Sequence, residues 1–227
     1  MITIVYYTAN RINPNFANSI RKNISEVSNG IPIISVSQKP INFGSNIVVD
    51  DFDQSHLNIY RQALIGAKEA NTKYIALCED DVLYSKDHFL YRPSDGVFAY
   101  NLSVWNIFTW GTPLFHRKDG GRRNLYSLIC ERDLFINAME ERFSAYPDDS
   151  DIDIGVWAEP SRYERQLGVT IQNWEPFYSK VPLIAFSHQS ALSYNNLGMR
   201  KKQGQIQALE IPVLGTARDI ISIYGNV

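Results

Sequence analysis

Residues 74–81 read YIALCEDD, an apolar run that ends abruptly in three carboxylates. The run predicts a buried strand, and it follows a stretch with helical spacing of apolar residues at 57–70. Ligands of parallel sheets bind beside the carboxyl ends of the strands, so Glu79, Asp80 and Asp81 stand where chemistry is expected. Mg²⁺ and Mn²⁺ prefer such oxygen ligands. On spacing alone, this stretch is equally compatible with a divalent metal site and with a solvated acidic turn.

Strands and helices alternate around this stretch. Towards the N-terminus we predict strands at 2–7, 31–36 and 47–49, helices at 16–27 and 57–70, and then the strand at 74–77. Towards the C-terminus we predict strands at 97–100, 125–129, 168–173 and 182–186 and a helix at 133–143. The first series is typical of an α/β fold with a mostly parallel sheet. No repeat or linker interrupts the 227 residues, so we predict a single domain.

Composition excludes several classes of protein. A formal net charge of -2 gives no overall basic field of the kind that marks nucleic-acid binders. Apolar residues make up 44% of the chain, yet the N-terminal apolar run is short and no stretch reaches about 20 apolar residues, which predicts no signal peptide and no membrane contact. Cys78 and Cys130 are far apart and are expected to be reduced thiols of a cytoplasmic protein. The oligomeric state is not predicted.

The stretch from Tyr60 to Asp81 resembles the core of family 2-like GT-A glycosyltransferases, including compact members encoded by bacteriophages. In that family a helix with an Arg-Asn-like pair leads into a strand that ends in an acid-x-acid motif. Here Arg61-Gln62 occupies the pair, with Gln for the usual Asn, and Glu79-Asp80-Asp81 occupies the motif, with Glu in the first place. The resemblance implies a GT-A (Rossmann-like) α/β fold whose mostly parallel sheet is flanked by helices. It also implies a nucleotide-binding half at 1–100 and an acceptor half at 101–227.

The same resemblance implies a divalent cation, Mn or Mg, held by Asp81. Glu79 would contact the metal or the ribose of the donor. His188 directly follows the apolar run 183–186 and stands where many GT-A enzymes place a late metal-binding histidine, although a lone histidine is more often structural. The donor would be a nucleotide-sugar, with a UDP-sugar as the first expectation.

A second segment extends the resemblance to the catalytic base. The family's Glu-Asp motif falls at Ser150-Asp151, so only the aspartate carries over, and Asp151 is expected to deprotonate the acceptor hydroxyl in an inverting reaction. The alternative is a solvated acidic loop in which one aspartate caps a helix that begins at Ile154. Glu159 is the reserve candidate for the base.

Donor contacts are expected mainly from polar residues that follow the first strands, where turns are polar in any case. Arg200 and Lys201 would close over the diphosphate, or form an ordinary solvated run. The donor-binding candidates are Thr8, Asn10, Arg11, Ser37, Arg61, Gln62, Glu79, Asp80, Arg200 and Lys201.

The acceptor is the least determined part of the prediction. The candidates are aromatic and basic residues of the second half together with one aspartate, namely Trp105, Trp110, Arg117, Arg122, Arg123 and Asp153. Resemblance to phage enzymes suggests a hydroxymethylated pyrimidine in DNA, in a host cytoplasm, while a cell-surface glycan or a small molecule stays open.

Two rival functions also stay open. A nucleotidyltransferase usually has a glycine-rich phosphate loop after the first strand, but residues 8–14 contain no glycine. A non-catalytic glycan- or nucleic-acid-binding module would suit the aromatic and basic residues.

Overall fold

The computed structural model describes residues 1–49, 55–147, 159–191 and 204–224. In chain order its strands are β1 (Ile2–Thr8), β2 (Ile33–Ser37), β3 (Ser45–Val48), β4 (Tyr74–Glu79), β5 (Val82–Leu83), β6 (Val97–Asn101), β7 (Val104–Phe108), β8 (Phe115–Arg117), β9 (Leu128–Glu131), β10 (Asn173–Phe177), β11 (Leu183–Ser187), β12 (Ile206–Ala208), β13 (Glu210–Ile211) and β14 (Gly215–Thr216). Its helices are α1 (Pro14–Ser28), α2 (His56–Glu69), α3 (Lys86–Leu90), α4 (Arg132–Ala145), α5 (Glu164–Leu167) and α6 (Ala217–Tyr224).

Seven strands form the main sheet, in the order β10-β6-β9-β4-β1-β2-β3. Strand pairs are parallel except where β9 runs against β4 and β6. Every residue of β1 is buried, which explains its continuous apolar and aromatic sequence, because both faces of such a strand are covered. The predicted α/β class, with a mostly parallel sheet flanked by helices, is confirmed.

Helices cover both faces of this sheet. Helix α1 buries Phe16, Ile20 and Ile24 with the alternate β1 residues Ile4 and Tyr6. Helices α2 and α4 lie on the other face, where the core contains the remaining β1 residues. A side chain at Gly66 of α2 would collide with the Val5 side chain, so glycine is what lets this helix lie close to β1.

A second sheet, in the order β12-β8-β7-β11-β5, packs into the core on the α1 side. Strand β11 runs parallel to β7 and antiparallel to β5. Strand β5 starts immediately after Asp81, and the Phe186 amide donates a 2.8 Å hydrogen bond to the Asp81 carbonyl. This pairing joins the end of β11 to Glu79, Asp80 and Asp81, which we call the acidic cluster. Within the described residues, no helix has the length and hydropathy to cross a bilayer.

Two predicted strands differ from the structure. The strand predicted at 168–173 is wrong, because Gly168, with a φ of 66°, and the amide of Val169 close helix α5, and β10 begins only at Asn173. The strand predicted at 125–129 is displaced, since Leu125–Ser127 form a 3-10 turn before β9. The sequence analysis also missed α6.

Candidate active site

The acidic cluster lies at a topological switch point of the main sheet. From β1 the chain proceeds through α1 to β2 and β3, and α2 then returns it to β4, on the other side of β1. Sheets of this kind open a ligand crevice at the carboxyl ends of the two strands that flank such a reversal. Thr8 ends β1, and Glu79 ends β4 beside Tyr7. The structure therefore places the predicted acidic residues at the strand ends where this rule expects a ligand crevice.

A buried network forms the floor of this crevice. The Thr8 hydroxyl donates to Oδ2 of Asp80, and Nε2 of Gln62 donates to the Thr8 carbonyl over 3.0 Å. Burial, with the charge of Asp81 next in importance, raises the pKa of Asp80 to about 6. Thr8 and Gln62 are predicted donor contacts. In the structure their hydrogen bonds connect the end of β1 with α2 and with Asp80.

Glu79 is held in a separate hydrogen bond. Its Oε1 accepts from the Tyr7 hydroxyl over 2.8 Å, and its backbone amide donates to the Tyr84 hydroxyl over 3.0 Å. Burial raises the pKa of Glu79 well above its usual range, and the charge of Asp81 adds to this effect. Its expected contact with a metal or a ribose stays a prediction.

Asp81 and His188 meet where β4 passes into β5. Nε2 of His188 lies 3.4 Å from Oδ2 of Asp81, and their side chains are 3% and 20% exposed respectively. Oδ1 of Asp81 and Nδ1 of His188 are buried without a hydrogen-bond partner among the described residues. Buried polar atoms are rarely left unpaired unless a ligand, ion or water satisfies them. The structure thus brings together the two residues that the sequence analysis joined only through a resemblance.

The chemistry of this pair fits a divalent cation that also binds a substrate. A carboxylate oxygen and an imidazole nitrogen suit Mn²⁺, and carboxylate alone suits Mg²⁺. Over the described part of the chain, no group of three or more His, Cys, Asp or Glu residues is placed to hold a metal ion. Two protein ligands are nonetheless what such cations use when substrate phosphates and waters complete their coordination.

The loop after β1 is held by its own polar residues. Asn10, with a φ of 54°, donates its amide to the Thr8 hydroxyl, and its Oδ1 accepts from the Lys39 amide over 2.9 Å. Ser37 donates to the Lys39 carbonyl over 2.8 Å. The predicted donor contacts Asn10 and Ser37 thus join the ends of β1 and β2, while Arg11 is exposed beside them.

Arg61 is directed away from the crevice floor. Its Nη2 donates to the Pro147 carbonyl over 2.5 Å, and its guanidinium lies 5.8 Å above the Phe143 ring. Arg61 therefore ties α2 to the end of α4, and the structure does not bring it beside Thr8 or Asp80. Asp151, Asp153, Arg200 and Lys201 lie outside the described residues, so their predicted roles stay predictions.

The reserve base is near the cluster. Oε2 of Glu159 pairs with Nη1 of Arg162 over 2.9 Å, and the Glu159 side chain is 13% exposed. Its negative charge contributes to the raised pKa of Glu79. Burial, followed by the charges of Glu79 and Asp81, also raises the pKa of Tyr126. The Tyr126 carbonyl accepts a 3.2 Å hydrogen bond from the Tyr84 hydroxyl, and nothing in the local sequence pattern predicted that Tyr126 lies near the acidic cluster.

The predicted acceptor residues are dispersed. Trp105 lies edge-on to Phe115, with ring centroids 6.4 Å apart, and is packed against the core. Trp110 lies edge-on to Phe108 at 5.2 Å, and Phe108 pairs with Ser187, so Trp110 is near the strand end that carries His188.

The basic acceptor candidates that the structure describes have different surroundings. Nη2 of Arg117 donates to the Leu102 carbonyl over 3.4 Å, and its Nε is buried. Arg123 donates to both oxygens of Ser161, whereas Arg122 is exposed.

Comparisons with known proteins give only distant structural similarity. No family model matches the chain, and no curated protein sequence matches it. A glycosyltransferase involved in the glycosylation of the major capsid of PBCV-1 is 11% identical, with a TM-score of 0.47, over 81% of this chain and 91% of that one. HddC from Yersinia pseudotuberculosis is 11% identical, with a TM-score of 0.45, over 89% and 100% of the two chains. TarS 1-349 from S. aureus is 8% identical, with a TM-score of 0.41, over 82% and 60%. Structural similarities with TM-scores this low support no statement about the activity of this chain.

Proposed function

We propose that this chain is a metal-dependent glycosyltransferase of the GT-A type that moves a sugar from a nucleotide-sugar to a hydroxyl acceptor. The observation that carries the proposal is the contact between Asp81 and His188, with an unpaired buried atom on each side chain, at the switch point between β1 and β4. A nucleoside diphosphate bound at these strand ends would bring phosphate oxygens close to the pair.

The residues of the crevice would have different roles in the proposed reaction. Asp81 and His188 would hold the cation, with Glu79 as a further candidate, and the bound cation would neutralise the charge of the departing diphosphate. Thr8, Gln62 and Asp80 keep the ends of β1 and β4 at a fixed separation. Arg200 and Lys201 are proposed to approach the diphosphate from the other side, and a UDP-sugar is the first donor to test.

Acceptor activation needs a carboxylate base. The acceptor hydroxyl would give its proton to Asp151, or to Glu159 if Asp151 is not the base. Its oxygen would form a bond to the anomeric carbon while the bond from that carbon to the diphosphate breaks. This single in-line displacement inverts the anomeric configuration.

A carbohydrate hydroxyl is the acceptor that the described residues favour. DNA binding would need several cations on one surface, because neutralised phosphates supply most of the affinity. Arg117 and Arg123 instead donate to protein oxygens, which leaves the predicted DNA acceptor as the second candidate.

A nucleotidyltransferase would use the same switch point, so the experiment must separate the two activities. The purified protein is incubated with a panel of nucleotide-sugars and Mn²⁺, Mg²⁺ or a chelator, with neutral oligosaccharides or hydroxymethylated DNA as acceptors. We expect cation-dependent release of nucleotide from one donor and transfer to a saccharide. Full activity in the chelator, or no release from any donor, contradicts the proposal. Formation of a nucleotide-sugar from a sugar 1-phosphate and a nucleoside triphosphate would make the protein a nucleotidyltransferase.

A further inference from the structure

Two arginine–aromatic pairs lie on the surface outside the crevice. The guanidinium carbon of Arg123 lies 4.5 Å from the centroid of the Trp174 ring, and that of Arg162 lies 5.2 Å from the Tyr163 ring. Trp174 is 42% exposed and Tyr163 is 37% exposed. We call these four residues the platform. Neither ring belongs to the cores described above, and the proposed transfer chemistry uses neither.

Both pairs depend on one turn, residues 159–164. Arg123 donates to the carbonyl and the hydroxyl of Ser161 over 2.8 and 2.9 Å, and Arg162 pairs with Glu159. Ser161 and Tyr163 have φ values of 74° and 60°. A bulky aromatic residue rarely adopts such a φ, and strained backbone of this kind persists only where its surroundings enforce it.

The surroundings of the turn do enforce it. Arg142 of α4 pairs with Glu164 over 2.8 Å, and both side chains are almost completely buried, at 1% and 5% exposure. Glu164 also accepts from the Ser161 amide, and the Tyr100 hydroxyl of β6 donates to the Pro160 carbonyl over 2.6 Å. The platform is therefore rigid before any ligand arrives, which lowers the entropic cost of binding.

The platform extends outward from the acidic cluster. The turn that carries the platform is held at the Pro160 carbonyl by Tyr100 of β6, a strand that only β9 separates from β4. Trp174 lies on β10, the edge strand, which is separated from β4 by β6 and β9. Three strand spacings of about 4.8 Å place it roughly 14 Å across the sheet from β4. Its partner Phe98 lies level with Ile75, so Trp174 is also four residues nearer the start of the strands than Glu79. One sugar ring at the crevice cannot span that distance, but an oligosaccharide can.

We propose that the platform is a remote acceptor subsite that stacks a ring of a neutral oligosaccharide on the part of the Trp174 ring that Arg123 leaves exposed, an inference that rests on the proposed function. The π-face of an indole is electronegative and attracts the C–H-rich face of a pyranose. Arg162 forms an ion pair with Glu159, and Arg123 contacts Ser161 and Trp174. Both platform arginines therefore already have partners within the protein. A polyanion such as single-stranded DNA needs several uncommitted cations as well as stacking, and is therefore disfavoured.

Direct binding to an array tests the subsite without a donor. The array carries neutral oligosaccharide series from one to four sugars and single-stranded oligonucleotides. It is probed with the wild type, Trp174→Ala, Trp174→Phe and Leu209→Ala. Leu209 is 70% exposed, between β12 and β13, and serves as the control for loss of an exposed apolar side chain.

We expect the wild type to bind at least one series more tightly as its length increases. Trp174→Ala should weaken binding of the longest member about tenfold and remove the length dependence. Trp174→Phe should retain most of the binding, and Leu209→Ala all of it. Failure to bind any neutral saccharide, binding that is indifferent to Trp174→Ala, or Trp174-dependent binding of oligonucleotides alone would overturn the subsite.

Donor hydrolysis by the wild type separates this outcome from failure of the proposed function. Hydrolysis without saccharide binding refutes the subsite and leaves the transferase proposal standing. Trp174-dependent saccharide binding by a protein that hydrolyses no donor supports the saccharide site and refutes the transferase.

Discussion

Two buried atoms, Oδ1 of Asp81 and Nδ1 of His188, have no hydrogen-bond partner among the described residues. Leaving such atoms unsatisfied costs about 1–3 kcal/mol each, a large fraction of the stability of a typical domain. A ligand that satisfies both atoms recovers that cost when it binds. The free-energy cost of leaving these two atoms unsatisfied is therefore explained if Asp81 and His188 bind a cation and the phosphate that coordinates it.

The base can be assigned by comparing two isosteric substitutions. Asp151→Asn keeps the shape of the side chain but removes its basicity. We expect a turnover rate lower by roughly 10²-fold or more, because this is the scale of general-base catalysis, with donor affinity unchanged. Glu159→Gln is the matched comparison, since it removes the pairing with Arg162. Pre-steady-state turnover and donor titration of both variants provide the readout.

A large loss in Glu159→Gln alone would transfer the role of base to Glu159. Wild-type rates in both variants would refute a carboxylate base from this segment. Retention of configuration in the product, determined by NMR, would refute the single displacement.

At the scale of elements, local sequence determined the strands and helices but not their long-range partners. Helix α2 was predicted to within one residue at each end, and β4 was predicted from its first residue but ended two residues too early; both predictions succeeded because apolar patterns are local signals. Strand β10 was placed too early because the end of α5 uses Gly168 and Val169. The contact between His188 and Asp81 depends on pairing of β11 with β5, residues about a hundred positions apart, which no local pattern encodes.

Helix α2 and strand β1 are joined at the crevice by Gln62. Gln62→Leu should leave the buried Thr8 carbonyl without this donor and reduce the free energy of unfolding by about 1–3 kcal/mol. Donor affinity should also fall, because the end of β1 loses its anchor. Urea denaturation and donor titration measure the two effects. Lys68→Ala on the same helix removes an exposed ion pair and should cost less than about 1 kcal/mol. Equal effects of the two substitutions would contradict the role given to Gln62.

The pair between Arg142 and Glu164 fixes α4 to the turn at 159–164. Arg142→Met leaves a buried carboxylate without its partner and should cost about 3–5 kcal/mol of unfolding free energy. The double variant Arg142→Met/Glu164→Gln removes the buried charge but keeps an acceptor for the Ser161 amide. It should be more stable than Arg142→Met alone in chemical denaturation. A double variant that is less stable than Arg142→Met would mean that the pair between Arg142 and Glu164 is not the main interaction between α4 and the turn.

At the scale of the whole molecule, both halves of the chain build one sheet. Strands β1 to β4 form the part of the sheet for which we propose nucleotide binding, and β6, β9 and β10 extend the same sheet towards the platform. The predicted division at residue 100 falls inside β6, so the halves are not separate structural layers. The proposed acceptor and donor surfaces thus share a single sheet, with the acidic cluster at the end of its central strand β4.

Global stability should depend on pH through His88. This side chain is buried among Tyr84, Phe89 and Phe177, and burial lowers its pKa to about 3. The unfolded chain, with a histidine pKa of about 6.5, takes up the proton first as the pH falls. The neutral histidine therefore contributes its full stability above about pH 6.5, and that contribution is lost as the pH decreases towards 3. The loss is at most about 1.4 kcal/mol per pH unit.

Urea denaturation at several pH values between 4 and 7 measures this dependence. His88→Phe has no titrating group at this position, so its unfolding free energy should decline less steeply with acid than that of the wild type. Identical slopes would mean that His88 is protonated in the folded protein or that other groups dominate.

The central claim, that Asp81 and His188 bind a cation together with a nucleoside diphosphate, is tested most directly by titration of Mn²⁺ followed by electron paramagnetic resonance. The wild type and Asp81→Ala are titrated with and without each of UDP, GDP, CDP, ADP and TDP. In the wild type, one nucleotide should strengthen Mn²⁺ binding about tenfold or more, because phosphate oxygens complete the coordination of the cation. Asp81→Ala should lose both the binding and its dependence on the nucleotide. Wild-type protein whose Mn²⁺ affinity responds to none of the nucleotides, or an Asp81→Ala variant that responds as the wild type does, would contradict the claim.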